Sequence, residues 1–296
     1  MHRRPSKPAM TTMAIVIAAL LVTGCEAQAC GMPPADNAPL APVIAPRAPV
    51  ASFDGLDART RQATADAAEA GADIEVVVLD RETGQLISNG SNQPFPIASV
   101  VKLFIADDLL LQESKGETKL TAADRNSLDV MLRSSDDSAA QTFWDRSGGN
   151  AVIARIVARY GLTGTTAPYN GHWDVTQSTA SDLVRYYDKL LNGSGGLPPE
   201  RAEVIIGNLA QFTPTGNDGY PQRFGIPDGL FAETVAVKQG WFCCWNGANQ
   251  LHVSTGVIGP ERRYVMAISS LQPVSETAAR NTITQAVKTM FPGGHI

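Results

Sequence analysis

The sequence has no surplus of positive charge: across 296 residues, 24 lysines and arginines are outnumbered by 29 acids, for a formal net charge of −5. Without a basic stripe for a phosphate backbone, nucleic acid is not an expected partner; a small or neutral one is. Cysteine is scarce. Cys25 and Cys30 lie near the N-terminus, and Cys243 and Cys244 are adjacent. Metal-site spacing is missing as well, since His172 and His252 form no recognisable zinc pattern with those cysteines, and no metal is expected. There are no internal repeats.

Long apolar stretches are also rare. One uncharged, mostly apolar segment runs from Pro8 to Val22, behind His2, Arg3, Arg4 and Lys7 and ahead of Thr23-Gly24-Cys25. This is the layout of a secretion signal, with a short membrane anchor as the alternative. Small residues followed at once by cysteine resemble the bacterial lipoprotein cleavage box, which implies a signal over 1–24 and lipidation at Cys25. Each buried methylene of an acyl chain contributes about 0.8 kcal/mol, so the expectation is an exported protein held on the outer face of the membrane. The proline- and alanine-rich stretch that follows, up to Val50, favours extended backbone and reads as a tether over 25–52. Export permits disulfides. Cys243 and Cys244 then form either a vicinal disulfide or a pair of buried thiols.

The folded domain is expected over 53–296. Leu56 to Ala70 has helical spacing and Gly71 as its stop; Asp73 to Ser88 reads as a β-hairpin. Ser99 to Gln112 lacks glycine and proline and is apolar all round, the signature of a buried helix opening near the serine. From about 119 to 224 the signals are mostly helical. Strands return in ETVAVKQ, NQLHVSTGVIG and RRYVMAISS, before a last helix from about Ser275. The order implies an α+β domain: an antiparallel sheet built from both chain ends, covered by terminal helices, with an all-helical insertion. A cleft belongs between sheet and insertion.

Three short stretches carry chemistry. In PIASVVKLF, Ser99 and Lys102 lie three apart on a helix, where the amine can reach the hydroxyl and apolar surroundings lower its pKa. In MLRSSDDSAA, Ser135-Asp136-Asp137 is explained without function as an N-cap serine with acids in a first helical turn. In VAVKQGWF, Lys238 and Gly240 stand at the end of a strand run, with glycine permitting close approach to a ligand.

Together, S-x-x-K, then S-D-x, then K-x-G in helix, loop and strand contexts resemble the serine β-lactamase and penicillin-binding protein superfamily, most closely its class A branch. The likeness spans about Asp54 to the C-terminus. It implies Ser99 as nucleophile, Lys102 as base, Ser135 relaying a proton, Lys238 supplying positive charge, and backbone N–H groups of Ser99 and Trp241 forming an oxyanion hole. It implies no cofactor.

The departures matter as much. The family's S-D-N asparagine is here Asp137, a carboxylate that accepts but does not donate and, beside Lys102, would raise the amine's pKa. The K-T-G threonine is here Gln239. Gln239, Gly240, Trp241 and Asp137 are the expected substrate-binding positions. Class A enzymes activate the deacylating water with an omega-loop glutamate, yet residues 161–180 contain none; Asp174, the lone acid there, is read as belonging to the start of the next helix. Slow release of any acyl group is expected. Two functions fit: a lipid-anchored serine hydrolase acting on a small-molecule or peptidoglycan-like amide or ester, or an inactive descendant that binds an envelope ligand. In the second, Trp241, Phe242 and Trp245 offer stacking surfaces.

Overall fold

The computed structural model describes residues 53–296; the expected secretion signal, Cys25 and the expected tether lie outside the described residues. Helix α1 (Leu56–Glu69) buries Leu56, Thr60, Ala63 and Ala67, one helical stripe of mostly small side chains, and ends where Gly71 takes the left-handed conformation that favours glycine. Strands β1 (Asp73–Asp80) and β2 (Leu86–Ser88) follow as an antiparallel pair.

The last third of the chain supplies β5 (Val235–Trp245), β6 (Asn249–Ile258), β7 (Tyr264–Gln272) and helix α9 (Glu276–Met290). These complete a five-stranded sheet in the order β2-β1-β7-β6-β5, with antiparallel neighbours throughout. Both faces are buried, and the period-two alternation of strand side chains sorts them. Ile74, Val76, Val78, Met266 and Ile268 pack with Ala63, Ala67, Ile283 and Val287 of the terminal helices. Val77, Val265 and Ala267 face the opposite way, into the larger core.

That core is built by the segment between β2 and β5. It contains β3 (Phe95–Pro96), a 3-10 turn at Ala98–Val101, and helices α2 (Lys102–Ser114), α3 (Ala122–Arg133), α4 (Asp137–Arg146) and α5 (Ala151–Tyr160). Strand β4 (Gln177–Ser178), which pairs with β3, and helices α6 (Ala180–Asn192) and α7 (Pro199–Leu209) complete it, while the short helix α8 (Ile226–Gly229) packs through Ile226 on the terminal-helix side of the sheet.

Helix α2 is the spine of this block, with Lys102 through Leu111 all buried. Two of those ten are acids, and α5 supplies their partners. Asp108 accepts two 2.7 Å bonds from the Arg155 guanidinium, while Asp107 takes Arg159 and the Tyr160 hydroxyl. Stripping the arginine from a buried carboxylate such as Asp107 costs about 3–5 kcal/mol. These pairs fix α2, and therefore Lys102, against α5.

Two expectations are corrected here. The helix expected to open at Ser99 begins instead as a 3-10 turn, entered through Ala98 in the left-handed region, φ 46°, and becomes α-helical only at Lys102. Strand β5 does not stop near Gly240 but pairs with β6 through Phe242 and, past a bulge, at Trp245, so Lys238 and Gly240 lie mid-strand. Cys243 and Cys244 occupy that bulge as an exposed, bonded vicinal pair rather than as buried thiols.

Candidate active site

Four elements bring the sequence motifs to one point. The 3-10 turn carries Ser99, the first residue of α2 is Lys102, the α3–α4 connection presents Ser135, and the middle of β5 sends in Lys238. Gly240 lets this happen. A Cβ at that position would meet the Ile97 carbonyl oxygen at 2.6 Å and the Ala98 Cβ at 3.2 Å. The glycine therefore admits the turn that holds Ser99, rather than a ligand as the sequence suggested.

Lys102 is fully buried, and its Nζ has four polar neighbours: Ser135 O at 2.6 Å, Asp137 Oδ1 at 2.5 Å, Ser99 Oγ at 2.8 Å and Ser135 Oγ at 3.1 Å. A lysine nitrogen has three directions to offer. The carbonyl and the carboxylate can only accept, so they take two N–H groups. The third direction falls to the two hydroxyls, as a donor when the amine is charged and as a lone pair when it is neutral. The Trp173 ring lies 4.8 Å away and walls the amine off.

Burial pushes the Lys102 pKa below the usual ammonium range, and the opposing pull of the Asp137 charge does not reverse it. Asp137 does pull the lysine pKa upward, as the sequence implied, but burial outweighs it; the carboxylate side chain is 70% exposed, and water weakens its field. Lys238 Nζ donates to Ser135 Oγ at 2.9 Å and to its neighbour's carbonyl, Gln239 O, at 3.2 Å. It makes no ion pair among the described residues. Burial and the nearby Lys102 charge hold its pKa well below the ordinary range.

Ser135 is not the N-cap. Asp136 caps α4 by accepting from Ala139 N at 2.7 Å, while Ser135 takes φ 58°. A left-handed non-glycine residue costs on the order of 1–3 kcal/mol, and both of its oxygens are held by lysines here. Ala98 and Ser135, two of the four such residues described, flank this one cluster.

Beside Ser99 opens a cleft of about 380 Å³. Trp173, Trp241 and Phe242 give it aromatic walls, and Asp137, Asp174 and Asp218 give it carboxylates. Gln141 and His172 complete the polar lining. Asp174 thus lines the cleft from a short 3-10 turn, Trp173–Val175, and Thr179, not Asp174, caps α6. The segment is held in place at both ends: Asp182 accepts from Gly164 N and Thr165 Oγ1, and Gln141 accepts from the Trp173 indole at 3.2 Å. A larger groove of about 470 Å³ between α1 and α9 contains none of the motif residues.

Gln239 is not a cleft residue. It is 1% exposed, and its amide donates to Gln222 O and Phe224 O on the far side of β5. Trp241 does face the cleft, stacked on Tyr220 with centroids 4.9 Å apart and donating to Asp218 Oδ2 at 3.1 Å. Trp245 is not among the lining residues. The sequence reading missed Gln141, Trp173 and Asp218 as cleft residues. Gln141 lies four residues after Asp137 on the same helix face, a legible signal; Asp218, in an irregular loop, had none.

A sheet drawn from both chain ends, a helical block, and a buried Ser-Lys-Ser-Lys cluster between them define the class of serine β-lactamases and penicillin-binding proteins. A family model described as the β-lactamase enzyme family (Beta-lactamase2) matches residues 58–125 and 125–291, and the chain belongs to that family. Two relatives, from Mycobacterium bovis and Mycobacterium tuberculosis, each named "Putative lipoprotein LppW", are 62% identical over 258 residues, covering 86% of this chain and 82% of theirs. Among solved structures, TLA-3 extended-spectrum β-lactamase aligns with TM-score 0.66 at 14% identity, over 81% of this chain and 98% of its own. A β-lactamase from Chitinophaga pinensis gives TM-score 0.63 at 17% identity, over 78% and 98%. A mutant of PBP-A in an acyl-enzyme complex with penicillin G gives TM-score 0.66 at 18%, over 81% and 96%. At these identities the structures establish the fold.

Proposed function

We propose that this protein is an envelope serine hydrolase of the penicillin-binding type, anchored by lipid at Cys25 on the outer face of the membrane, that forms an acyl-enzyme at Ser99. The observation that carries the reading is the 2.8 Å contact between Lys102 Nζ and Ser99 Oγ, with the two other amine directions occupied by acceptor-only oxygens. A neutral Lys102 then has its lone pair for the hydroxyls alone. The name shared by the two mycobacterial relatives supports the anchored location.

In the first half-reaction Ser99 Oγ attacks an amide or ester carbonyl and gives its proton to Lys102 Nζ. Backbone N–H groups of Ser99 and Trp241 receive the developing oxyanion. The proton passes through Ser135 Oγ to the leaving nitrogen or oxygen as the carbonyl–leaving-group bond breaks. Lys238 steadies Ser135 from behind. Water then cleaves the ester and restores Ser99. With no glutamate in 161–180 and a carboxylate at Asp137, this second step is slow and β-lactamase turnover is weak or absent. The natural substrate is a peptidoglycan-like amide or ester.

A single-turnover experiment with a neutral p-nitrophenyl ester tests it: one equivalent of p-nitrophenolate leaves as one acyl group is bound covalently, followed by slow release. Rapid multiple turnover would contradict the slow second step. An inactive binding protein is the second reading, favoured by the grip of Asp137 on Lys102; it predicts no covalent product and ligand binding that survives Ser99→Ala.

A further inference from the structure

We propose that the cleft over Ser99 selects acyl donors bearing an organic cation, an ammonium or guanidinium group near the reacting carbonyl, over donors bearing a carboxylate. The inference names the substrate class of the acyl-transfer site proposed above and rests on that reading.

Two independent features of the lining point to the same chemistry. The first is charge. Asp137, Asp174 and Asp218 line the cleft, and no lysine or arginine does. Both active-site lysines lie behind Ser99, fully or 99% buried. Asp137 is committed to Lys102, but Asp174 makes no ion pair among the described residues, and Asp218 is oriented by neutral donors only. The Trp241 indole donates to its Oδ2 at 3.1 Å and the Tyr220 backbone N–H to its Oδ1 at 2.9 Å, which fixes the carboxylate without neutralising it. Arg280 lies against the Tyr220 ring and is not part of the lining.

The second feature is aromatic. Trp173 and Trp241 line the same space, Trp241 with one ring face stacked on Tyr220, and a Trp face attracts cations held within about 6 Å. The Trp173 ring already sits over one cation, the Lys102 ammonium, when that group is protonated. The carboxylates are spread along the cleft: among the described residues no three histidine, cysteine or acidic side chains converge to hold a metal ion. An apolar-skinned organic cation fits such a wall. A substrate carboxylate would meet the same three negative charges with nothing cationic opposite.

The test uses three p-nitrophenyl esters of matched size, whose acyl chains end in trimethylammonium, tert-butyl or carboxylate. In each, a Ser99 Oγ–carbonyl bond forms and p-nitrophenolate leaves, so acylation is read by absorbance and by mass. The cationic ester is expected to acylate at least about tenfold faster than the neutral one, with the carboxylate ester slowest. The preference shrinks as salt is added. Asp174→Asn lowers the cation-to-neutral rate ratio. Asp218→Asn lowers it too, but that variant also disturbs Trp241, so Asp174→Asn is the cleaner probe.

Equal rates for the three esters, or a carboxylate ester that reacts fastest, would overturn the inference while leaving Ser99 acylation standing. A second measurement separates the two failures. In Ser99→Ala, benzyltrimethylammonium should quench tryptophan fluorescence at concentrations where phenylacetate does not. No ester reaction together with that quenching would remove the catalytic reading and keep the cation preference. No quenching by the ammonium would sink the preference itself.

Discussion

Lys102 and Lys238 meet on one hydroxyl: Ser135 Oγ lies 3.1 Å from the first amine and 2.9 Å from the second. Two buried ammonium groups this near a shared oxygen oppose each other's protonation, and burial acts in the same direction on both. Lys102 has a carboxylate in direct contact, Asp137, whereas Asp137 and Asp218 favour the charged form of Lys238 only from a distance. Ser135 Oγ thus links the two amines as a hydrogen-bonded bridge, the route along which the proposed acylation passes its proton.

Asp137→Asn tests the electrostatic side of this arrangement. Removing the carboxylate removes the influence that raises the Lys102 pKa, so the amine loses its proton at lower pH. The acid limb of the Ser99 acylation rate should move to lower pH, and acylation at neutral pH should rise. A pH–rate profile with a fluorophosphonate reads both. An unmoved limb would mean that Asp137 does not set the amine.

Gly240→Ala tests the packing side. The added methyl would stand 2.6 Å from the Ile97 carbonyl oxygen, a backbone atom that cannot rotate aside. The turn carrying Ser99 must separate from β5, costing about 1–3 kcal/mol of stability. A displacement approaching an ångström slows acylation about 100-fold. Urea unfolding and labelling kinetics measure the two effects. A variant with normal stability and rate would show that the turn and the strand are not in register through this residue.

His252 gives a pH signature unrelated to catalysis. Its ring is buried, bonded to the Tyr220 hydroxyl through Nε2 at 2.7 Å and near Arg280, and its pKa is pushed down to about 3. In the unfolded chain a histidine titrates near pH 6.5. Between those values the unfolded state binds a proton that the folded state refuses, so stability is intact above about pH 6.5 and is lost as pH falls towards 3. Relative to pH 7, the loss from this group at pH 4.5 is about 2.5 kcal/mol. His252→Gln should flatten that part of the curve in urea titrations at pH 7 and 4.5. Equal slopes in the two proteins would mean that the ring is charged in the fold.

The sequence carried the frame and the chemistry of this site because both depend on local pattern. Period-two runs marked the strands, the apolar helix marked α2, and Ser99, Lys102, Ser135 and Lys238 could be named from short motifs. What was hidden depends on which face a residue presents once the chain is folded. Gln239 was an expected substrate ligand because it stands where the family's K-T-G has threonine, yet its amide is spent on Gln222 O and Phe224 O. Asp174 was read as belonging to a helix start because a helix follows soon after; the turn at Trp173–Val175 points it to the cleft. Asp218 has no periodic signal, since its loop is placed by tertiary bonds such as Asn217 N to Ser134 O at 2.7 Å.

The most direct measurement is the location of a covalent label. Treated with a broad fluorophosphonate, the wild-type protein should gain one phosphonyl group, and peptide mapping should place it on Ser99; Lys102→Met should label at least about 100-fold more slowly and Ser99→Ala not at all. A wild-type protein that stays unmodified after prolonged exposure, or one whose label maps to another residue, would contradict the account.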